Sequence, residues 1–180
     1  MDGSGVRWLV LVYKVPAEPT RLRAGVWRRI KGLGAIYLQN SAAALPRSPG
    51  AERAFRLLRN EILEMGGSAL LLGSEVLAGG AEAEQAFNTA RDDEYQEIVE
   101  RCQEFLGQIE QQDRAGHFGY AELEQHDEDL VKLRSWFAKV EQRDVLAAPG
   151  RAAATAALAG CEQALDGYAA RVYAEEAEGR

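Results

Sequence analysis

The segment up to Val76 alternates between strand-like and helix-like stretches, and this order constrains the fold more than any other feature of the chain. Residues 8–13 are continuously apolar and rich in β-forming side chains, which is the pattern of a strand buried on both faces. A helix is predicted next; it opens at Pro19 and Thr20, a good N-cap residue, and ends within residues 32–34, where Gly32 and Gly34 supply a stop. Residues 35–39 are strand-like again and predict a second strand.

A second cycle of the same kind follows at once. Asn40 and Ser41 have the composition of a turn, after which residues 42–45 either extend or return the strand. Apolar side chains repeat at helical spacing over residues 51–65, and residues 68–76 contain a short apolar strand. The order β-α-β-β-α-β in so short a segment predicts a ferredoxin-like module, in which a four-stranded sheet carries two helices on one face.

The rest of the chain has the periodicity of amphipathic helices rather than of strands. We predict helices at residues 81–113, 121–142 and 151–174. Breaks containing His117 and Pro149 separate them, and residues 175–180 are expected to fray. The fold class is therefore predicted to be α+β, a ferredoxin-like βαββαβ module followed by an α-helical annex. The predicted parts are the module at 6–79, the annex of the same domain at 80–146, and an Ala-rich C-terminal helix and tail at 147–180.

Positive charge is gathered in the first third of an otherwise acidic chain. Up to Asn60 there are 11 Lys and Arg residues against 3 Asp and Glu, whereas the remainder has 10 against 25. The overall net charge of −7 therefore hides a basic segment. No apolar run approaches the roughly 20 residues of a membrane span, and residues 9–13 are too short for a signal-peptide core. We therefore expect a cytoplasmic protein without membrane association.

The predicted helix from Thr20 carries most of this positive charge. Its apolar stripe consists of Leu22, Val26, Ile30 and Leu33. Clustered Lys and Arg can neutralise nucleic-acid phosphates, and the Arg fork also pairs with tetrahedral oxyanions. A third interpretation is structural: the acidic C-terminal helices or a second subunit neutralise the basic face. The candidate DNA- or anion-binding residues are Lys14, Arg21, Arg23, Trp27, Arg28, Arg29 and Lys31.

The aromatic member of this set is Trp27. It lies at the edge of the apolar stripe, where an exposed indole can stack on a base. Trp8 lies in the first predicted strand and Trp136 lies on an apolar helix stripe, so both are expected in the core.

The sequence pattern that indicates metal binding is weaker than the pattern that indicates DNA or anion binding. Glu122 and His126 are four residues apart on one helix face, a spacing that can bind a metal, and His117 lies in the preceding break. There is no HExxH motif and acid-rich helix faces are common, so no metal or cofactor is predicted. Cys102 and Cys161 stand far apart without a CxxC motif, so a disulfide framework is not expected and two buried or idle thiols are.

Short blocks of the sequence, in a fixed order, resemble the N-terminal domain of the chromate-resistance protein ChrB. They fall within residues 7–146, at 8–16, 18–23, 26–29, 33–39, 45–46, 87–92, 94–95, 118–124, 133–138 and 143–144. The resemblance implies a regulator of a chromate-resistance operon that responds to chromate and contacts DNA. That domain is in turn similar to the middle domain of PaaX-type transcription regulators and to a small CRISPR adaptation nuclease with a ferredoxin-like fold.

The chain departs from these relatives in two ways. The CRISPR nuclease ends its first strand with a metal-binding Asp, whereas Tyr13 is followed here by Lys14, a cation that repels a divalent metal. Nuclease activity is therefore not expected, and no other catalytic constellation indicates an enzyme. ChrB chains usually continue into a second domain, and we expect this chain to lack the function of that domain.

Charge and resemblance together predict a cytoplasmic chromate-resistance regulator that contacts DNA through the basic helix. A homodimer formed through open strand edges is a further hypothesis. The alternative is a small-anion (chromate) or metal-binding accessory protein without DNA binding. A chromate reductase using Cys102 or Cys161 is a third hypothesis, for which there is no cofactor motif.

Overall fold

The computed structural model describes residues 5–178, which form one four-stranded sheet and five helices. The elements are β1 (Trp8–Lys14), α1 (Thr20–Gly32), β2 (Ile36–Gln39), β3 (Ala42–Pro46), α2 (Pro49–Glu64), β4 (Ser68–Ser74), α3 (Gly80–Ala115), α4 (Tyr120–Arg143) and α5 (Arg151–Glu178). The protein is therefore α+β and mostly helical, and each predicted strand and helix is present with small changes at its ends.

Strand β1 lies in the middle of the sheet, whose order is β2-β3-β1-β4 with every neighbouring pair antiparallel. Leu9 and Leu11 are almost fully buried, whereas Val12 and its register partner Leu70 are 43% and 58% exposed. The prediction that β1 is buried on both faces is therefore wrong for its C-terminal half. There the alternating side chains of the pleat reach solvent on one face of the sheet.

The tight turn between β2 and β3 decides how the strand continues. Ser41 adopts a φ of +66°, in the left-handed region that allows the chain to reverse within a few residues. Strand β3 then runs back along β2 and pairs with β1 on its other side. The sequence left open whether residues 42–45 extend the strand or return along it, and in the structure they return along it.

Two helices complete the first part of the chain. Helix α2 packs against β1 and β4, and α1 packs against α2. The predicted apolar stripe of α1 is buried at Val26 and Ile30. The predicted N-cap, Thr20, is wrong by one position: the N-cap is Pro19, which is extended (φ −75°, ψ 144°) and has no side-chain cap. In α2, by contrast, the Ser48 hydroxyl caps the helix by accepting from the Ala51 amide at 3.1 Å.

The described chain divides into two compact units, one up to Ala90 and one from Arg91. The division falls inside α3, and the predicted domain boundaries remain predictions. Helix α5 continues to Glu178, the last two residues lie outside the described part, and the expected fraying of residues 175–180 stays a prediction. Within residues 5–178 no helix is both long enough and apolar enough to cross a membrane.

Apolar side chains of α3, α4 and α5 form the core of the second unit. The largest fully buried members are Tyr95, Ile98, Cys102, Val140 and Tyr168. Trp136 is partly buried and packs against this cluster, and Trp8 is 2% exposed in the first unit, as both were predicted to lie in the core.

A buried carboxylate joins α3 to the α4–α5 connection within the second unit. Asp144 accepts a hydrogen bond from the Tyr95 hydroxyl at 3.0 Å and another from the Ala148 amide at 2.8 Å. Nearby, Glu94 forms ion pairs with Arg91 at 3.1 Å and with Arg143 at 2.7 Å. Because Arg91 and Asp144 are buried, their polar groups need partners within the protein for the helices to pack.

We expect Asp144→Ala to lower the free energy of unfolding of the second unit by about 1–3 kcal/mol. The Tyr95 hydroxyl and the Ala148 amide would each lose a partner in a buried site. Urea denaturation followed by circular dichroism measures the change. The control is Asp93→Ala, which removes an exposed carboxylate of α3 and should change stability by less than about 0.5 kcal/mol. Equal losses in both variants would contradict the assigned role.

Candidate functional site

Basic and aromatic side chains form a row along one flank of α1. Arg23, Trp27 and Lys31 follow one another at intervals of four residues, so they lie on the same side of the helix. Trp27 is 50% exposed, and the Lys31 ammonium lies 5.5 Å from the centre of its ring, within the range of a cation–π contact. The predicted exposed tryptophan is therefore found beside two of the predicted basic residues.

This row borders a cavity of about 760 Å³, which we call the α1 cavity. The end of β1, the loop after it, α1 and the glycine turn before β4 supply its walls. The lining residues are Tyr13, Lys14, Val15, Pro16, Ala17, Arg23, Trp27, Ser41, Gly66, Gly67 and Ser68. Lys14, Arg23 and Trp27 were three separate candidates in the sequence, and the fold brings them to one cavity.

Hydrogen bonds hold the cavity walls in place. The Arg23 Nη2 donates to the Ala17 carbonyl at 3.1 Å, which fixes the guanidinium beside the loop and leaves its other N–H groups to face solvent or a ligand. The hydroxyl oxygens of Tyr13 and Tyr37 are 2.9 Å apart. Partial burial, and then the bond to Tyr13, raise the pKa of Tyr37, so the Tyr37 hydroxyl is neutral at ordinary pH.

The glycine turn is a functional feature that the sequence interpretation missed. Gly66 and Gly67 were predicted only to end a helix, yet Gly67 lines the cavity because its backbone passes very close to β1. A Cβ at Gly67 would lie 2.4 Å from the Lys14 carbonyl oxygen and 2.8 Å from Ile62 Cγ2. Only glycine permits this approach, and a double glycine before an apolar strand was the available signal.

The remaining basic residues of α1 do not line the cavity. Arg29 lies on the other flank, where its Nη2 is 3.0 Å from Glu61 of α2. Arg21 and Arg28 lie on the outer face, are exposed, and make no ion pair with any described residue. The predicted set therefore separates into three cavity residues, an outer pair, one arginine that links two helices, and Lys31, which contacts Trp27 without lining the cavity.

The basic residues of the second unit behave differently from those of α1. Most of them pair with carboxylates of that same unit, as in Arg101–Glu104 at 2.8 Å and Arg171–Asp113 at 2.7 Å. In the described part of the first unit, Lys14, Arg21 and Arg28 have no carboxylate partner. Positive charge is thus left open to a ligand on α1 and at the end of β1, and also on α2, where Arg53 and Arg59 have no carboxylate partner among the described residues.

The weak metal candidates lie around a separate cavity in the second unit, lined by His117, Glu122 and His126 among others. His126 is buried, its Nε2 lies 2.6 Å from Gln112 Oε1, and its ring stands edge-on to Phe105 and Tyr168. Within residues 5–178 no group of three or more His, Cys, Asp or Glu side chains is arranged to hold a metal ion.

The two cysteines lie next to each other in the core of the second unit. The Cys161 thiol is 3.5 Å from the Cys102 carbonyl oxygen, and both residues are fully buried. Burial, and then the neighbouring Cys102, raise the pKa of Cys161 to about 12, and burial also raises the pKa of Cys102. Such thiols stay protonated, and a protonated thiol is a poor nucleophile.

The structure thus defines an α+β protein with an exposed basic helix that borders a cavity. A family model described as "Protein ChrB, N-terminal" matches residues 23–179, and the chain belongs to this family. The "Protein ChrB" of Cupriavidus metallidurans is 32% identical to it over 90 residues, which are 50% of this chain and 28% of that protein. No solved structure matches the chain. The family resemblance found in the sequence is confirmed.

His126 should make the stability of the second unit depend on pH. Burial lowers its pKa, with Asp129 and Glu122 acting in the opposite direction, and its Nδ1 has no partner among the described residues. The unfolded chain therefore binds a proton at higher pH than the folded one. Stability is full above the ordinary histidine pKa of about 6.5 and falls as the pH drops through that value.

The measurement is urea denaturation of the wild type and of His126→Gln at a series of pH values above and below that pKa. We expect the variant to lose less stability on acidification than the wild type does. The control is His117→Gln, because His117 is exposed in the loop before α4 and is the only other histidine in the chain. A wild-type pH dependence that survives in His126→Gln would refute this assignment.

Proposed function

We propose that this chain is the DNA-contacting part of a chromate-resistance regulator of the ChrB type, acting in the cytoplasm. The observation that carries the proposal is the open positive charge of α1. Arg21 and Arg28 are exposed and without a carboxylate partner among the described residues, and the row of Arg23, Trp27 and Lys31 runs beside them.

The chemistry of these side chains suits the sugar–phosphate backbone. Exposed arginines that neutralise phosphates release bound counterions, and this release dominates the affinity of proteins for DNA. The fork of a guanidinium donates two hydrogen bonds to one phosphate. Trp27 adds a flat apolar surface next to the charges, where a sugar or an unstacked base can pack. Arg29 contributes less to DNA affinity in this proposal, because its charge is already paired with the Glu61 carboxylate.

We also propose that the first unit has the ferredoxin-like fold. The strand order β2-β3-β1-β4, the antiparallel pairing, and the position of one helix before β2 and one before β4 support this assignment. In such a sheet β2 and β4 are edge strands. We propose that one of these edges pairs with a second copy of the chain, and light scattering that gives only the monomer across micromolar concentrations would refute the dimer.

The effector proposed for the regulator is chromate or a related oxyanion. Lys14 and Arg23 supply two positive charges to the α1 cavity, and no carboxylate lines it. An oxyanion there would sit next to the row that we assign to DNA, so effector and DNA would compete for Arg23. In this proposal a bound effector would displace the DNA by occupying Arg23.

Replacing Arg21 and Arg28 together by Ala should weaken the binding of the protein's own promoter DNA. Loss of about two phosphate contacts is expected to reduce the slope of log affinity against log salt by about two. Fluorescence anisotropy over a range of salt concentrations measures the slope. The control is Arg101→Ala, an exposed arginine of the second unit that pairs with Glu104. The proposal fails if the wild type does not bind this DNA at low salt. It also fails if the salt slope of the control variant decreases as much as that of the Arg21 and Arg28 double variant.

A further inference from the structure

A second basic cavity lies in the first unit, between α2 and strand β4. It has a volume of about 570 Å³ and is distinct from the α1 cavity, with which it shares no lining residue. Arg47, Arg56 and Arg59 contribute guanidinium groups to its wall. We call it the α2 cavity, and the sequence interpretation did not include any of its residues among the candidates.

The charges of the α2 cavity are only partly compensated within the protein. Glu52 is its one acidic lining residue, and its Oε1 accepts from Arg56 Nε at 3.1 Å and from Arg56 Nη2 at 2.7 Å. Arg47 Nη2 lies 3.5 Å from the other carboxylate oxygen. Arg59 makes no ion pair with any described residue. Three cations therefore share one carboxylate, and the excess charge favours an anionic ligand.

The opposite wall of the α2 cavity is apolar. Leu71 points to the same face of the sheet as its register partner Leu11, while Asn60 offers an amide that can both donate and accept hydrogen bonds. Gly73 leaves room for Arg47: a Cβ there would stand 3.4 Å from Arg47 Nη1. The cavity thus combines a cationic end, a polar amide and an apolar surface within a volume typical of small-molecule sites.

We propose that the α2 cavity binds a nucleoside phosphate. Its phosphate would be held by Arg56 and Arg59, with Glu52 displaced from the Arg56 fork, and its base would lie against Leu71. A lone oxyanion would leave most of this volume and the apolar wall unused. The proposal is independent of DNA binding through α1, since the two cavities have no residue in common.

Isothermal titration calorimetry of the full chain with ADP, GDP, CDP and UDP tests the proposal. We expect at least one of them to bind at least tenfold more tightly than inorganic phosphate or the corresponding nucleoside. Arg59→Ala should weaken this binding about tenfold, because a hydrogen bond to a charged phosphate is lost. Glu52→Gln should strengthen it, because the internal competitor for Arg56 is removed.

The matched control is Arg53→Ala, an exposed arginine of the same helix that does not line the α2 cavity. It should bind the nucleotide as the wild type does. Circular dichroism verifies that each variant is folded. The proposal is overturned if none of the nucleotides binds, if phosphate alone binds as tightly, or if Arg53→Ala loses as much affinity as Arg59→Ala. Weakened DNA binding in Arg21→Ala with unchanged nucleotide binding would separate the two sites.

Discussion

The pairing of β1 with a neighbour on each side is the interaction on which the first unit depends. Five of its residues pair with β3 and all seven pair with β4, so the strand has no free edge over most of its length. The side chains of Leu9 and Leu11 are then sealed from water, and burial of this kind supplies the main driving force for folding. The last residue of the strand, Lys14, lies beyond the pairing with β3 and is held by its pairing with β4 alone.

The pairing of β1 determines the geometry of the α1 cavity through backbone contacts rather than through side-chain contacts. Lys14 pairs in register with Ser68, and Gly67 passes so close to the Lys14 carbonyl that no larger residue fits. The same turn therefore ends α2, starts β4 and forms a wall of the α1 cavity. A change that moves β4 would move this wall, so the shape of the cavity and the stability of the sheet are coupled.

The regular elements could be predicted from the sequence because local patterns decide them. The stripe that includes Val26 and Ile30, and the turn at Ser41, depend on near neighbours alone. Burial of β1 could not be predicted in full, since the exposure of Val12 depends on what covers each face of the sheet. Lys14 and Trp27 line one cavity only because of tertiary packing. The α2 cavity likewise combines residues from β1, α2 and β4 that no sequence spacing connects.

Spacing along α1 explains why its open charges are compatible with a folded protein. Arg21 and Arg28 are seven residues apart, which is about 10 Å along a helix, comparable to the Debye length of about 10 Å at 0.1 M salt. Their mutual repulsion is therefore weak in solution. Two positive residues lie closer to Arg28. Arg29 is neutralised by Glu61, and the Lys31 ammonium lies 5.5 Å from the centre of the Trp27 ring, whose π face attracts it. The helix thus keeps its outer charges at little cost to stability, while each remains free to take an anion from outside the chain.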